Sequence, residues 1–430
     1  MAAASHFQQQ NEKPCHIGAL MPELIDQIIL EIGSLRTLGS FITTSRFIYK
    51  HFERRKRYII YHILQKVLGP VLADAQFLLI FPYADVTLDS HYAGRYDPIP
   101  SLEVLTKLCH DFYKFDFLAS FYIKTLGFLS NEGIGPAGTT APSRAEQLRV
   151  LRAFYRRQII CNGWAPTERE IRWVEEDVAA FSNTREHPND RLGLLATFDP
   201  WELQQVDHVD HFVERLCVAL CAATEETVTT AKRSDCTDEP PAQGMSDSEF
   251  GNIYSHFEYL VQYMREHTDP VKDAIRILPS LPPLRSQGLT ETTPVHLRFI
   301  QRYFLIFFRL AWQSHPLILF PDPVRDQWEE QEEGENDSAS GPTVDFAGDA
   351  LELPTFGWVD ALDRRDLYWF GEALVEVQRL VPGVTDTFPA HLWGTERWRA
   401  FGFALWDRQR VGAMKEVELL KFLRTGWVVY

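Results

Sequence analysis

Apolar side chains recur at helical spacing near the start of the chain. Between residues 20 and 33 (LMPELIDQIILEIG) they fall at i, i+1, i+4, i+5 and i+8: Leu24, Ile25, Ile28, Ile29 and Ile32. This spacing places them on one side of a helix, with polar residues on the other. Pro22 suits the first turn and Gly33 suits the C′ position. The pattern therefore predicts a helix that begins at Pro22 and ends before Gly33.

Two further helices are predicted directly after the first. Ser34 can cap a short helix that carries Leu35 and Leu38, and Thr44 or Ser45 can cap a longer one. The longer helix is expected to continue to about residue 65. Residues 1–17 are polar and are typical of a mobile tail. The sequence thus predicts a three-helix module over residues 18–66 behind a disordered tail.

The rest of the chain, residues 67–430, predicts a multi-helix body. Asp199, Pro200 and Glu202 have the order of a helix N-terminus with a capping box. Alternation of strand type is nearly absent, so we expect an all-α fold. The predicted helices of the body span 102–129, 144–162, 168–182, 200–222, 249–266, 293–314, 362–380 and 396–404.

Three stretches interrupt this helical pattern, near 131–143, 223–248 and 326–350. They are rich in charge, Gly, Pro and Ser, and they are poor in apolar residues, which favours flexible inserts. No repeat of 20–50 residues is visible, which argues against solenoids and propellers. We therefore expect one helical body with looped insertions.

The charge of the chain limits the class of partner. The formal net charge is −16, and an acidic surface repels nucleic-acid phosphates and anionic membranes. The six cysteines have no framework spacing, so we expect reduced thiols. The N-terminus has no secretory pattern, and the longest apolar run is YFLIFF. These observations predict a cytoplasmic or nuclear protein that binds neither nucleic acid nor membrane.

No motif predicts a catalytic, cofactor or metal site. GIGPAG (133–138) matches G-x-G-x-x-G, but it lacks the preceding strand and Pro136 removes a backbone amide. His211 and Cys217 are six residues apart, about 240° around a helix, so the pair His208/His211 and the pair Cys217/Cys221 face different directions and cannot converge on zinc. We expect exposed histidines and small buried cysteines there. Hence no cofactor, no metal and no enzymatic activity are predicted.

Two composition features leave alternatives open. The basic run at residues 54–57 (RRKR) is an exposed helix surface, a nuclear import signal or a contact for acidic groups. Six of the 11 tryptophans fall in the last 73 residues, and they indicate either core or a ligand groove.

Residues 20–52 resemble an F-box. The family pattern reads approximately L-P-x-E-L, then I-L, then spaced leucines, and finally a small-Ser-Arg/Lys segment with aromatics. Two positions depart from it, because Met21 stands where the family usually has Pro, and Ile48 where it has Trp or Phe. The resemblance implies adaptor-binding residues at Leu20, Pro22, Glu23, Leu24, Ile28, Ile29, Leu35, Leu38, Ser45 and Arg46.

Later segments extend the resemblance along the chain. Residues 61–79, 152–164, 198–213 and 402–411 are similar, in this order, to segments of a large group of filamentous-fungal F-box-like proteins. The resemblance implies the substrate-recognition subunit of a Skp–cullin–F-box ubiquitin ligase. Its partners would be the small F-box-binding adaptor and a substrate protein that the sequence does not specify. The alternative is a non-catalytic interaction or scaffold protein with an F-box-like fold that docks no ligase.

Overall fold

The computed structural model describes residues 20–81, 99–129, 140–164, 198–234, 247–278, 347–358 and 402–413. Helix makes up 82% of this part of the chain, and no strand occurs in it. The predicted all-α class is therefore confirmed. Contacts divide the chain into a first unit, Met1–Leu72 with Tyr96–His110, and a second unit, Ala73–Arg95 with Asp111–Tyr430.

The described part of the chain includes ten α-helices of eight or more residues and one 3-10 turn. Three predicted helices, at 168–182, 293–314 and 362–380, lie outside the described residues, as do 131–139, 235–246 and 326–346 of the predicted inserts. The elements are α1 (Pro22–Glu31), α2 (Leu35–Ile42), α3 (Arg46–Leu68), α4 (Val71–Ile80), α5 (Leu102–Leu129), α6 (Arg144–Trp164), α7 (Pro200–Ser234), α8 (Asp247–Ser255), α9 (Phe257–Glu266), α10 (Thr268–Ile277) and the 3-10 turn Phe403–Leu405.

Two predicted boundaries in the body are wrong. The helix predicted to end at residue 222 continues to Ser234, so the first part of the insert predicted at 223–248 is helical. The polar stretch ends the apolar repeat there, but Ala, Glu and Lys are good helix formers. The helix predicted over 249–266 is two helices, because His256 adopts an extended conformation between α8 and α9.

In the first unit, α1 and α2 both pack against α3. The predicted caps are in place, because the Ser34 hydroxyl accepts from Thr37 N at 3.0 Å and the Ser45 hydroxyl accepts from Phe47 N at 3.2 Å. Gly33 does follow the end of α1, but without the positive φ that favours glycine at C′. The buried side chains of the three helices include Ile25, Ile29, Leu35, Leu38, Ile48 and Phe52.

In the second unit, α6 is surrounded by protein, since every residue from 148 to 161 is buried. Four of these residues are arginines, and buried arginine requires paired partners. Arg152 pairs with Glu202 at 2.8 Å, and Arg156 pairs with both Glu202 and Asp74. The carboxylates come from α7 and α4, so ion pairs inside the unit join these helices to α6.

The last two described segments, 347–358 and 402–413, also attach to α6. The Arg149 guanidinium forms an ion pair with Asp407 and donates to the carbonyl oxygens of Asp349 at 2.6 Å and Leu405 at 3.3 Å. Arg410 pairs with Glu146 at 2.9 Å. Polar contacts therefore fix both segments to the central helix of the second unit.

Candidate functional site

The entry to α1 sets the position of the predicted docking residues. Met21 has extended backbone angles, and its carbonyl accepts from Leu24 N at 3.0 Å. Pro22 follows at the first helical position, where its missing N–H costs nothing, and Glu23 lies in the first turn. Both Pro22 and Glu23 are exposed. The start of α1 is thus a surface feature of the first unit.

The apolar side chains of α1 divide between two environments. Ile25 and Ile29 are completely buried, whereas Leu24 and Ile28 each expose 39% of their surface and Met21 exposes 63%. Because positions 24 and 28 are four residues apart, these two side chains share one face of the helix, and exposed Met21 directly precedes its first turn. We call Met21, Leu24 and Ile28 the α1 apolar face.

The remaining predicted docking residues fall into separate classes. Leu35 and Leu38 are buried with Ile29, so they belong to the core of the first unit. Leu20 is half-buried, and Ser45 caps α3. Arg46 is exposed at the first position of α3. The exposed predicted residues are therefore Pro22, Glu23, Leu24, Ile28 and Arg46.

A polar clamp holds α1 on α3. The Asp26 carboxylate contacts His51 at 2.6 Å and forms an ion pair with Arg55. Arg55 has non-helical backbone angles, φ −125° and ψ 16°, which place a kink in α3 at this contact. The sequence pattern gave no sign of this clamp, because a partner 25 residues away has no periodic signature.

A second contact joins the end of α1 to the end of α3. Lys66 pairs with the Glu31 carboxylate at 2.8 Å. The hydrogen bond and the positive charge of Lys66 together lower the pKa of Glu31. The middle and the C-terminal end of α1 are thereby tied to α3 by charged side chains, and α1 is held in one orientation on α3.

The basic run at residues 54–57 lies on α3. Arg54, Arg55 and Arg57 are exposed, as predicted, and Lys56 is half-buried beside Glu53. Arg57 Nε donates to the carbonyl of Pro100 at 2.7 Å. The run thus contributes one ion pair to the clamp and one contact to the residues preceding α5.

Of the two histidines of α7 that were predicted to be exposed, His208 is buried and His211 is half-buried. His208 exposes only 2% of its area, and its neighbours Asp207 and Asp210 are also buried. The prediction was wrong because Asp210 pairs with Arg157 of α6 at 2.6 Å, a long-range contact that brings this side of α7 inside. Cys217 and Cys221 are buried as expected, and burial raises the pKa of the Cys217 thiol.

The possible metal ligands and the C-terminal tryptophans lie only partly within the described residues. Among the described residues, no group of three or more His, Cys, Asp or Glu side chains could hold a metal ion. Trp358 and Trp406 are buried, so these two tryptophans belong to the core. The other four of the C-terminal six, and the GIGPAG segment, lie outside the described residues.

No described helix is by itself long and apolar enough to cross a membrane; α3 and α4 pass that test of length and composition only together, as a bent pair.

Comparison of the chain with protein-family models, with curated proteins and with solved structures found no match. The α1 apolar face is the candidate site, because it is exposed and includes two of the residues that the sequence predicted to dock a partner, Leu24 and Ile28.

Proposed function

We propose that the chain is an F-box-type protein that acts as a substrate-recognition subunit of a Skp–cullin–F-box ubiquitin ligase. It works by binding, with no catalytic step of its own. Its α1 apolar face contacts the small adaptor, and another part of the chain holds the substrate. In this role the protein raises the effective concentration of substrate near the conjugating enzyme. A cytoplasmic or nuclear location is part of the proposal.

The observation that carries this proposal is the exposure of Leu24 and Ile28 on one face of α1, with exposed Met21 directly before the helix. Neighbouring exposed apolar side chains are typical of protein-binding surfaces, in particular of helix-mediated ones. They occur where the sequence has the residue order of an F-box. The exposed predicted residues Pro22 and Glu23 lie on the same helix and extend the surface toward its N-terminus.

Co-purification with the F-box-binding adaptor tests the proposal. The double variant Leu24→Asp/Ile28→Asp places two charges on the α1 apolar face while leaving Ile25 and Ile29 in the core. We expect wild type to bind and the double variant to lose about 100-fold or more in affinity. The reason is that Leu24 and Ile28 would act as buried anchors in the interface with the adaptor. Circular dichroism checks that the variant remains helical.

The matched control is Tyr49→Asp/Gln65→Asp, which adds the same charge at two exposed positions of α3. It should bind the adaptor as wild type does. Absence of adaptor binding by folded wild type at micromolar concentration would overturn the proposal. Equal loss in the control would show that added charge, rather than the α1 apolar face, governs the interaction. If wild type does not bind the adaptor, the alternative hypothesis, a scaffold protein that docks no ligase, is favoured.

A further inference from the structure

The first unit is basic although the chain is acidic. Between residues 20 and 72 there are eight Lys or Arg residues and four Asp or Glu residues, in a chain whose formal net charge is −16. Positive charge is thus concentrated in one segment. Charge segregation of this kind creates a local field that attracts anionic partners even when the whole molecule is negative.

Three of the cations form a line on α3. Arg46, Lys50 and Arg54 are exposed and are spaced by four residues, so they lie along one side of the helix. Ile48 and Phe52, which point to the other side, are 1% and 4% exposed. All three cations precede the kink at Arg55, so the helix between them is regular. We call Arg46, Lys50 and Arg54 the basic stripe.

Three of the four acidic side chains of residues 20–72 already pair with other cations. Asp26 pairs with Arg55, Glu31 with Lys66, and Glu53 with Lys56. Within the described part of the chain, no residue of the basic stripe has an ion-pair partner. The stripe therefore presents three uncompensated charges to solvent.

The position of the stripe is also unfavourable for the isolated helix. Arg46 occupies the first position of α3, and the first turn has no acidic residue. The helix dipole places partial positive charge at this end, so cations there are destabilising and anions are stabilising. Carboxylates bound along the stripe would relieve both the repulsion among the cations and the conflict with the dipole.

We propose that the basic stripe binds an extended acidic segment of a partner protein. Four helical residues rise about 6 Å, and alternate residues of an extended chain are about 6.6 Å apart. Carboxylates at every second position of an extended peptide therefore match the spacing of Arg46, Lys50 and Arg54. This surface goes beyond the proposed function and does not depend on it, because its ligand chemistry differs and only Arg46 of its three residues is also a predicted adaptor residue.

Fluorescence anisotropy of the full chain with a labelled Glu-Ser repeat peptide tests the proposal. We expect saturable binding that weakens as salt rises from about 50 to about 300 mM. A Gln-Ser repeat should not bind. The triple variant Arg46→Ala/Lys50→Ala/Arg54→Ala should lose about tenfold or more in affinity, as expected for three exposed charge pairs. Because Arg46 is also a predicted adaptor residue, Lys50→Ala/Arg54→Ala is measured as well and should show a smaller loss in the same direction.

The matched control removes three exposed cations elsewhere, in Lys107→Ala/Lys272→Ala/Arg276→Ala. These cations already have helical partners. The control should keep wild-type affinity for the peptide. The proposal is overturned if wild type does not bind, if the stripe variants bind unchanged, or if the control loses affinity equally. Tighter binding to oligothymidylate, or to phosphatidylserine vesicles, than to the peptide would also overturn it. None of these readouts requires the ligase adaptor, so failure of either proposal leaves the other testable.

Discussion

The two units of the chain differ in the burial of their charged side chains. In the first unit the ion pairs lie at the surface, and the Arg55 side chain that contacts Asp26 is 49% exposed. In the second unit the Arg149 side chain is 0% exposed, and it is one of four arginines buried along α6. The first unit also leaves apolar side chains outside, whereas the second places cations within its core.

This difference separates surfaces for binding from contacts for folding. Exposed ion pairs contribute about 0–1 kcal/mol, so the first unit can vary its surface charge at little cost to its fold. Loss of one partner from a buried pair costs about 3–5 kcal/mol, because the other charge remains buried. The second unit therefore depends on each of the four buried arginines of α6, and their polar network is better explained as structure than as a reactive site.

The largest loss of stability is expected for the Arg149→Ala variant. The variant removes the cation paired with the Asp407 carboxylate and the donor to three carbonyl groups. We expect the second unit to lose about 3–5 kcal/mol in free energy of unfolding. All 11 tryptophans lie at or after Trp164, so the tryptophan fluorescence in a urea titration reports this unit.

Arg55→Ala is the comparison variant in the first unit. Because Arg55 is half exposed, its loss should cost no more than about 1 kcal/mol. Far-UV circular dichroism and hydrogen exchange of the 20–72 segment measure this unit. If Arg55→Ala proves as damaging as Arg149→Ala, the contrast between surface and buried pairs does not hold.

The next effect concerns adjacent isoleucines of α1. Ile29→Ala removes a completely buried side chain and should cost about 2–5 kcal/mol, whereas Ile28→Ala, at 39% exposure, should cost well under half as much. Hydrogen exchange of α1 in the two variants measures the difference. Similar protection in both would mean that α1 does not divide its apolar side chains as described.

The smallest effect is on the acid side of the stability profile. Burial alone would raise the pKa of Glu202, but the charges of Arg156 and Arg152 outweigh burial and lower it. The stability from Glu202 is therefore complete above its ordinary pKa of 4.5 and is lost as pH falls through the lowered value in the folded state. Glu202→Gln should flatten this acid decline of the second unit, although its stability at neutral pH will be lower.

Urea midpoints from tryptophan fluorescence at about pH 6, 4 and 3 measure that slope. Glu31→Gln is the companion variant, since its pKa is lowered by Lys66 at the surface of the first unit. It should leave the slope of the second unit unchanged. An unaltered acid decline in Glu202→Gln would contradict the role given to this carboxylate.

Local signals predicted much of the helical framework. The bounds of α5 follow from the sequence, and the capping box at α7 is present, with Glu202 accepting from Asp199 N at 3.1 Å. The serine caps of α2 and α3 were found by the same means. These features depend on neighbours three or four residues away, which is why the sequence shows them.

The burial of polar residues was not predictable in the same way. His208, Asp207 and Asp210 form a polar face by sequence, yet contacts with α6 bring this face inside. In the candidate site, spacing alone treated Leu24 and Ile29 as equivalent, and only packing against α3 separates them. Partners distant in the chain decided both outcomes.

The attachment of the C-terminal segments to Arg149 also has a consequence for biosynthesis. Arg149 and Asp407 are separated by 258 residues. At about 5–20 residues per second, a ribosome needs roughly 10–50 s to make the partner after the arginine has been added. During that interval Arg149 of α6 has emerged without the carboxylate that compensates its charge. The nascent chain therefore passes through a long stage in which chaperones can bind it, and a chain truncated before residue 407 never leaves that stage.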